Sequence, residues 1–195
     1  MKKIGIFIAA LVCICVVLGG FYYVIDKNKT AAEDNTKLTE VDKVITKDLD
    51  KSYPKTPRDV VKFYNRIISC YYANQYSDDQ FEKLIEQAMK LLDEELVANN
   101  EKERYMLAVK NDVEKYVSES KTISQSNVCA SNDVTYKTID GKECAFVMAS
   151  YFIKEGSSYS KTFQQYVLRK DDKGRWKILG YEKVQGDFSD YELQW

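Results

Sequence analysis

The hydrophobic pattern divides the chain into an apolar amino-terminal run and a polar remainder. Residues 4–25 contain no charged side chain, whereas the following sequence is rich in Lys, Asp and Glu. A helix of that length spans about 33 Å, enough to cross a hydrocarbon core of about 30 Å. We therefore expect residues 1–25 to be a transmembrane signal anchor that contacts the membrane through residues 4–25. The short head with Lys2 and Lys3 predicts a single-pass cell-membrane protein whose carboxy-terminal domain lies outside the cytoplasm.

A cleaved signal peptide is the alternative interpretation of the same run. It is less favoured because the run exceeds the usual 7–15 residues of a signal core, and no A-x-A-like cleavage site follows it. The orientation of the predicted span is less strongly determined by charge, because Lys27, Lys29 and Lys37 after the span nearly balance the positive charges of the head.

Residues 26–55 read as a polar stalk. Their first part has few apolar residues, but Val41, Ile45 and Leu49 recur at helical spacing and predict a short helix. Pro54 and Pro57 then end that helix, because each proline disfavours the helical conformation of the residue before it. The folded domain is expected at 56–185, followed by a tail at 186–195 that could dock on a partner or fold back.

Three amphipathic helices follow the stalk, and each has a recognisable start. Thr56 can cap the first with Pro57 at its first position, and Ser77 with Gln80 forms a capping box for the second. Asn100 with Glu103 is expected to open the third. The apolar residues of all three recur at intervals of three and four, so each helix should pack one face on a core.

After residue 120 the period changes from helix to strand. Strands are predicted at 134–138, 144–153, 161–170 and 175–184, with a hairpin turn at Asp140 and Gly141. The segment 122–129 either extends the first strand or adds an edge strand. The predicted fold class is α+β: a transmembrane helix, then three helices packed on a curved antiparallel sheet of about four strands.

Charge and composition exclude several kinds of site. The formal charge is −1 and no block of five Lys or Arg occurs, so nucleic acid is not an expected partner. The chain has no histidine and no C-x-x-C, which removes the usual zinc sites and Ser-His or Cys-His nucleophiles. We expect no cofactor, no metal and no assigned catalytic residue, although Asp, Glu or Tyr could still perform acid–base chemistry.

The three cysteines of the domain are predicted to stay free thiols. If Asp140 and Gly141 form a two-residue turn, Cys144 faces Lys137, and a straight hairpin places Cys129 opposite Phe152. Cys129 and Cys144 are then more than about 20 Å apart, whereas a disulfide needs Cα atoms within about 7 Å. Cys70 could meet either strand.

The order of elements and the segment 166–178 (YVLRKDDKGRWKI) resemble the NTF2-like superfamily of cone-shaped domains. The segments 53–64 and 93–100 also resemble small membrane-anchored proteins of unknown role from low-GC Gram-positive anaerobes. The likeness covers residues 53–184. It implies a cone whose candidate pocket lining is Tyr64, Ile68, Tyr71, Phe146, Tyr166 and Trp176.

The resemblance implies fold better than function, because such cones include enzymes, binding modules and assembly domains. The favoured hypothesis is a non-catalytic module that binds a partner protein or cell-surface ligand. The alternative is a small-molecule enzyme in which Asp or Glu and Tyr of the cone transfer protons. A buried carboxylate beside a tyrosine hydroxyl would favour the enzyme.

Overall fold

The computed structural model describes residues 38–185. The chain divides into two compact units, Met1–Thr39 and Glu40–Trp195. Of the first unit, the structure describes Leu38 and Thr39, which are both exposed. Most of the predicted stalk and the whole predicted tail at 186–195 lie outside the described residues.

The helices of the second unit are α1 (Glu40–Ile45), α2 (Pro57–Ala73), α3 (Asp78–Met89), α4 (Glu94–Asn99) and α5 (Lys102–Ser118). The predicted starts of α2 and α3 are confirmed. The hydroxyl of Thr56 accepts a hydrogen bond from the Asp59 amide at 3.1 Å, and Ser77 and Gln80 form the reciprocal capping box. The predicted cap at Asn100 is wrong: Glu101 is the N-cap of α5, and among the described residues no side chain caps it.

The strands are β1 (Lys121–Val128), β2 (Thr135–Ile139), β3 (Lys142–Glu155), β4 (Ser158–Lys170) and β5 (Trp176–Val184). They form one antiparallel sheet in which β1 and β2 both pair with the same edge of β3, and β4 and β5 follow on its other side. The hairpin register is confirmed, since Ile139 pairs with Lys142 and Lys137 pairs with Cys144.

The prediction that this hairpin runs straight as far as Cys129 is wrong. A short 3-10 turn at Ser131–Asp133 separates β1 from β2, so the chain re-enters the sheet in a different register. Cys129 lies opposite Met148, whose carbonyl accepts its amide at 2.9 Å, and not opposite Phe152. The thiols of Cys70, Cys129 and Cys144 are all buried and unbridged in the described part of the chain.

The expected fold class needs correction. The α+β order holds, but residues 38–185 contain five helices and five strands. The short helix of the supposed stalk, three further helices and about four strands were expected there, so α4 and the separate strand β1 are additional. No helix within residues 38–185 is long and apolar enough to cross a membrane. The longest, α2 and α5, have 17 residues each and carry several charged side chains.

That finding also corrects the expected location at the cell membrane with an external domain. The predicted span at residues 4–25 lies outside the described residues, and within 38–185 the structure offers no replacement for it.

The core lies between the helices and one face of the sheet. Side chains with no exposed surface come from α1, α2, α3 and from strands β3, β4 and β5; they include Val60, Ile67, Leu84, Val147, Tyr166 and Ile178. Helix α1 belongs to the same core, because Val44 and Leu49 are buried and the Gln87 amide donates to the Lys47 carbonyl at 2.8 Å. The unit therefore starts near Glu40, not at residue 56 as expected, because burial of α1 makes the supposed stalk helix part of the domain.

The loop between α3 and α4 is joined to the edge of β5. The amide of Ile178 donates to the Leu91 carbonyl and the amide of Asp93 donates to the Ile178 carbonyl, both at 2.8 Å. The Asp93 carboxylate also accepts a hydrogen bond from the guanidinium of Arg169 in β4, with an Nε–Oδ2 distance of 3.0 Å. These bonds place α4 against the end of the sheet, where it forms one wall of the cleft described next.

Candidate functional site

A cleft of about 590 Å³ lies between α2, α5 and the sheet. Helix α2 contributes one wall and α5 the facing wall, while strands β1, β3, β4 and β5 form the floor. Leu92 and Leu96, at the α3–α4 connection and in α4, close one end. The volume falls in the range of about 300–1,000 Å³ that is typical of small-molecule sites.

Three buried tyrosines form the deep part of the cleft, and their hydroxyl groups are engaged by protein partners. The Tyr151 hydroxyl donates to the Asn65 side-chain oxygen at 2.6 Å, and the Tyr71 hydroxyl donates to the Leu84 carbonyl at 3.2 Å. The Tyr64 hydroxyl lies 3.1 Å from that of Tyr105. Since buried polar groups must be hydrogen-bonded, these contacts hold the floor in one arrangement.

Four further tyrosines line the cleft with rings that solvent reaches: Tyr72, Tyr105, Tyr116 and Tyr181. The rings of Tyr72 and Tyr116 face each other across α2 and α5, with centroids 4.4 Å apart. The Tyr72 hydroxyl donates to the carboxylate of Asp112, one turn before Tyr116 on α5. The ring of Tyr181 is 51% exposed and rests on Tyr166, with centroids 5.4 Å apart.

A β-bulge gives Tyr181 its direction. Ile178 pairs with Leu168, but Tyr181 pairs with Tyr166, so β5 has one extra residue between these pairs. Side chains alternate between the two faces of a strand, and residues three apart normally lie on opposite faces. The extra residue turns Tyr181 to the same face as Ile178, towards the helices, as bulges beside binding sites often do.

The charge of the cleft comes from one carboxylate. Among the described residues that line it, Asp112 is the single charged side chain, and neither Lys nor Arg contributes. The nearby ammonium group of Lys121 is paired with Glu119 at 2.7 Å and with Glu155 at 3.7 Å. The cleft therefore has an aromatic, slightly acidic surface.

Five tyrosine hydroxyls of the cleft stay protonated near neutral pH. Burial raises the pKa of Tyr64, Tyr72, Tyr105, Tyr116 and Tyr151 above the ordinary value of a phenol. No group of three His, Cys, Asp or Glu among residues 38–185 is placed to hold a metal ion. The tyrosines of the cleft can therefore present ring faces and hydroxyl groups to a ligand.

The candidate lining residues from the sequence separate into two sets. Tyr64, Ile68 and Tyr71 line the cleft, and the fully buried Tyr166 lies behind it, with its hydroxyl 2.6 Å from that of Tyr151. Phe146 and Trp176 lie elsewhere on the sheet. The Lys137 ammonium sits 5.7 Å from the centre of the Phe146 ring, and Trp176 packs 5.8 Å from Tyr136.

Sequence reasoning did not assign Tyr72, Tyr105, Tyr116 or Tyr151 to the lining, and it missed Asp112 and Tyr181 as well. Asp112 had a detectable signal, because Tyr105, Val109, Asp112 and Tyr116 recur at helical spacing and place one carboxylate in an aromatic stripe. Tyr181 had none, since strict alternation along β5 puts it on the opposite face from Ile178.

Comparison with known proteins identifies a family but no activity. Residues 1–181 match the family model described as Domain of unknown function (DUF6715). That match includes every described helix and strand except the end of β5. No curated protein matches the chain. The family description carries no ligand or reaction, so the chemistry of the cleft supplies the argument for function.

Proposed function

For this chain, which belongs to the DUF6715 family, we propose a non-catalytic module of the NTF2-like type that binds a small ligand in the tyrosine-lined cleft. The observation that carries the proposal is the cleft itself: about 590 Å³ of open space with four accessible tyrosine rings. The NTF2-like assignment rests on the segment 166–178 and on helices packed against one face of an antiparallel sheet.

Preorganisation supports binding. The hydroxyls of Tyr64, Tyr71 and Tyr151 are already bonded to protein groups. The side chains in the deep part of the cleft therefore need not be ordered when a ligand enters. Binding loses free energy when side chains must be immobilised, and a rigid floor avoids that loss. Tyrosines also offer a large apolar ring with a polar tip, which suits them to ligand contacts.

The enzyme alternative has less support. It calls for a buried carboxylate beside a tyrosine hydroxyl, and the nearest arrangement is Asp112 with Tyr72. Asp112 is exposed to solvent, so it is not the buried carboxylate that this alternative requires. Burial raises the pKa of Tyr72, which keeps its hydroxyl from serving as a base itself.

The test is to fill the cleft. Ala108 lines it from α5, so Ala108→Phe should occupy the space between the helix and the sheet. Leu107, the preceding residue, is 59% exposed and is not part of the lining, so Leu107→Phe is the matched control. Ligand-observed NMR of the full-length chain with a library of neutral and charged small molecules should detect hits that Ala108→Phe abolishes and Leu107→Phe retains.

Three results would oppose the proposal. The library could yield no hit, or hits could persist in Ala108→Phe when circular dichroism shows that the variant is folded. Hits that are chemically converted during incubation would instead favour the enzyme alternative.

A further inference from the structure

We propose that the ligand of this cleft is an organic cation, such as a quaternary ammonium or protonated amine group. The inference rests on the proposed binding function and adds the class of ligand. It follows from three features of the described lining: accessible aromatic faces, one carboxylate beside them, and basic side chains that are absent or already paired.

The aromatic faces come first. Tyr72 and Tyr116 pack on each other, with centroids 4.4 Å apart and ring planes inclined at 45°, so a ligand reaches them on the sides turned away from this contact. Tyr105 and Tyr181 line the same cleft. An aromatic ring carries negative charge density on its face, and a cation within about 6 Å of the ring centre is attracted to it. Several tyrosine faces around one space are the arrangement by which proteins hold quaternary ammonium groups.

The carboxylate lies beside two of these rings. Asp112 is one turn from Tyr116 on α5 and accepts the hydroxyl hydrogen of Tyr72. That bond orients the carboxylate at the rim and leaves its remaining lone pairs for a ligand, since an ionised carboxylate accepts several hydrogen bonds. A cation on the ring faces would therefore gain a formal counter-charge.

Competing positive charge is low at the cleft. Among its described lining residues there is no Lys or Arg, and Lys121 is neutralised by Glu119 and Glu155. An anionic ligand would meet Asp112 with no basic partner to offset the repulsion, so the electrostatics select against anions.

A neutral sugar fits less well, although tyrosine rings can stack on sugars. Sugar hydroxyls need several free hydrogen-bonding groups, and the amide side chains of the cleft are partly engaged. The Asn100 amide donates to the Leu96 carbonyl at 2.9 Å, and the Gln164 oxygen accepts the Tyr166 hydroxyl at 2.9 Å. Buried polar contacts left unmade weaken binding, so a ligand recognised by its charge suits these walls better.

The experiment compares choline with its neutral isostere, 3,3-dimethyl-1-butanol, by ligand-observed NMR titration of the full-length chain. The two have the same shape, so a difference in affinity reports the charge. We expect choline to bind about tenfold more tightly than the isostere. Asp112→Asn should weaken choline binding by about fivefold or more while leaving the isostere unchanged.

The ring contribution is tested at Tyr116. Tyr116→Phe keeps the aromatic face and should retain most of the affinity for choline, whereas Tyr116→Leu removes the face and should weaken binding by about tenfold. Glu114→Gln is the control for net charge, because it removes one negative charge from the same helix at an exposed position outside the lining.

Equal binding of choline and the isostere would overturn the cation inference while leaving the proposed binding function intact, provided that Ala108→Phe blocks both. Glu114→Gln weakening choline as much as Asp112→Asn would show a general charge effect and would also overturn the assignment. If neither probe binds and the library yields no hit, the proposed function fails with it.

Discussion

Replacing Asp93 should loosen the end of the cleft, because this one residue joins three parts of the fold. Its carboxylate caps α4 by accepting the Glu95 amide at 3.0 Å. The same group accepts two bonds from Arg169 of β4, at 3.0 and 2.5 Å. The Asp93 side chain is 3% exposed, so water cannot replace these partners.

The expected loss of stability follows from these contacts. Removing a helix N-cap typically costs about 1 kcal/mol, and breaking a buried ion pair costs about 3–5 kcal/mol. Arg169 would retain Glu95 at 3.1 Å, which reduces the second contribution. We therefore expect Asp93→Ala to lower the free energy of unfolding by about 2–4 kcal/mol, which for a domain of this size lowers Tm by about 10 °C.

Thermal unfolding followed by circular dichroism measures the effect. Asp93→Asn keeps an acceptor for the cap and should lose about half as much. Asp79→Asn is the control, because Asp79 pairs with Lys83 at the exposed surface and should leave Tm almost unchanged. If Asp93→Ala melts at the same temperature as Asp79→Asn, the carboxylate does not hold α4 to the sheet as described. Because Leu92 and Leu96 flank Asp93 and line the cleft, ligand binding should weaken together with stability.

Two other predictions concern the core. Trp176 is 7% exposed and packs against Tyr136, so Trp176→Ala should lower the free energy of unfolding in urea by about 3–5 kcal/mol. Leu107→Ala is the exposed control. An unchanged urea midpoint for Trp176→Ala would contradict the packing described. Burial raises the pKa of the Cys70 thiol to about 11, and Cys129 and Cys144 are buried as well, so iodoacetamide at pH 8 should modify all three far more slowly in the native than in the denatured chain. A peptide in which mass spectrometry finds any two of them linked would refute this prediction.

Some features could be predicted because their causes are local. The hydroxyls of Thr56 and Ser77 accept hydrogen bonds from amides three residues away. Nearby residues alone therefore determine where α2 and α3 begin. The Asp140 and Gly141 turn likewise sets the register of β2 and β3, since both residues have positive φ angles that suit a two-residue hairpin turn.

Other features were missed because their local sequence is short or ambiguous and contacts with distant residues determine their structure. Helix α4 has six residues, too few to show a clear period, and its cap Asp93 is held by Arg169, which is 76 residues away. Helix α1 looked like part of a polar stalk because little in its own sequence shows that the Gln87 amide of α3 donates to the carbonyls of Val44, Ile45 and Lys47 at its carboxy-terminal end. Its burial depends on a partner more than 40 residues further along the chain.

By itself, the sequence determined the α+β order, the starts of α2 and α3, the β2–β3 hairpin and much of the apolar face that fills the core. Each of these follows from periodicity or from bonds between residues a few positions apart. The cleft needed the tertiary structure, because its lining comes from α2, α4, α5 and four strands, and a bulge turns Tyr181 inward against the alternation of β5. Only packing of distant elements could place Asp112 beside Tyr72, since the energy that selects this arrangement comes from contacts between residues far apart in the chain.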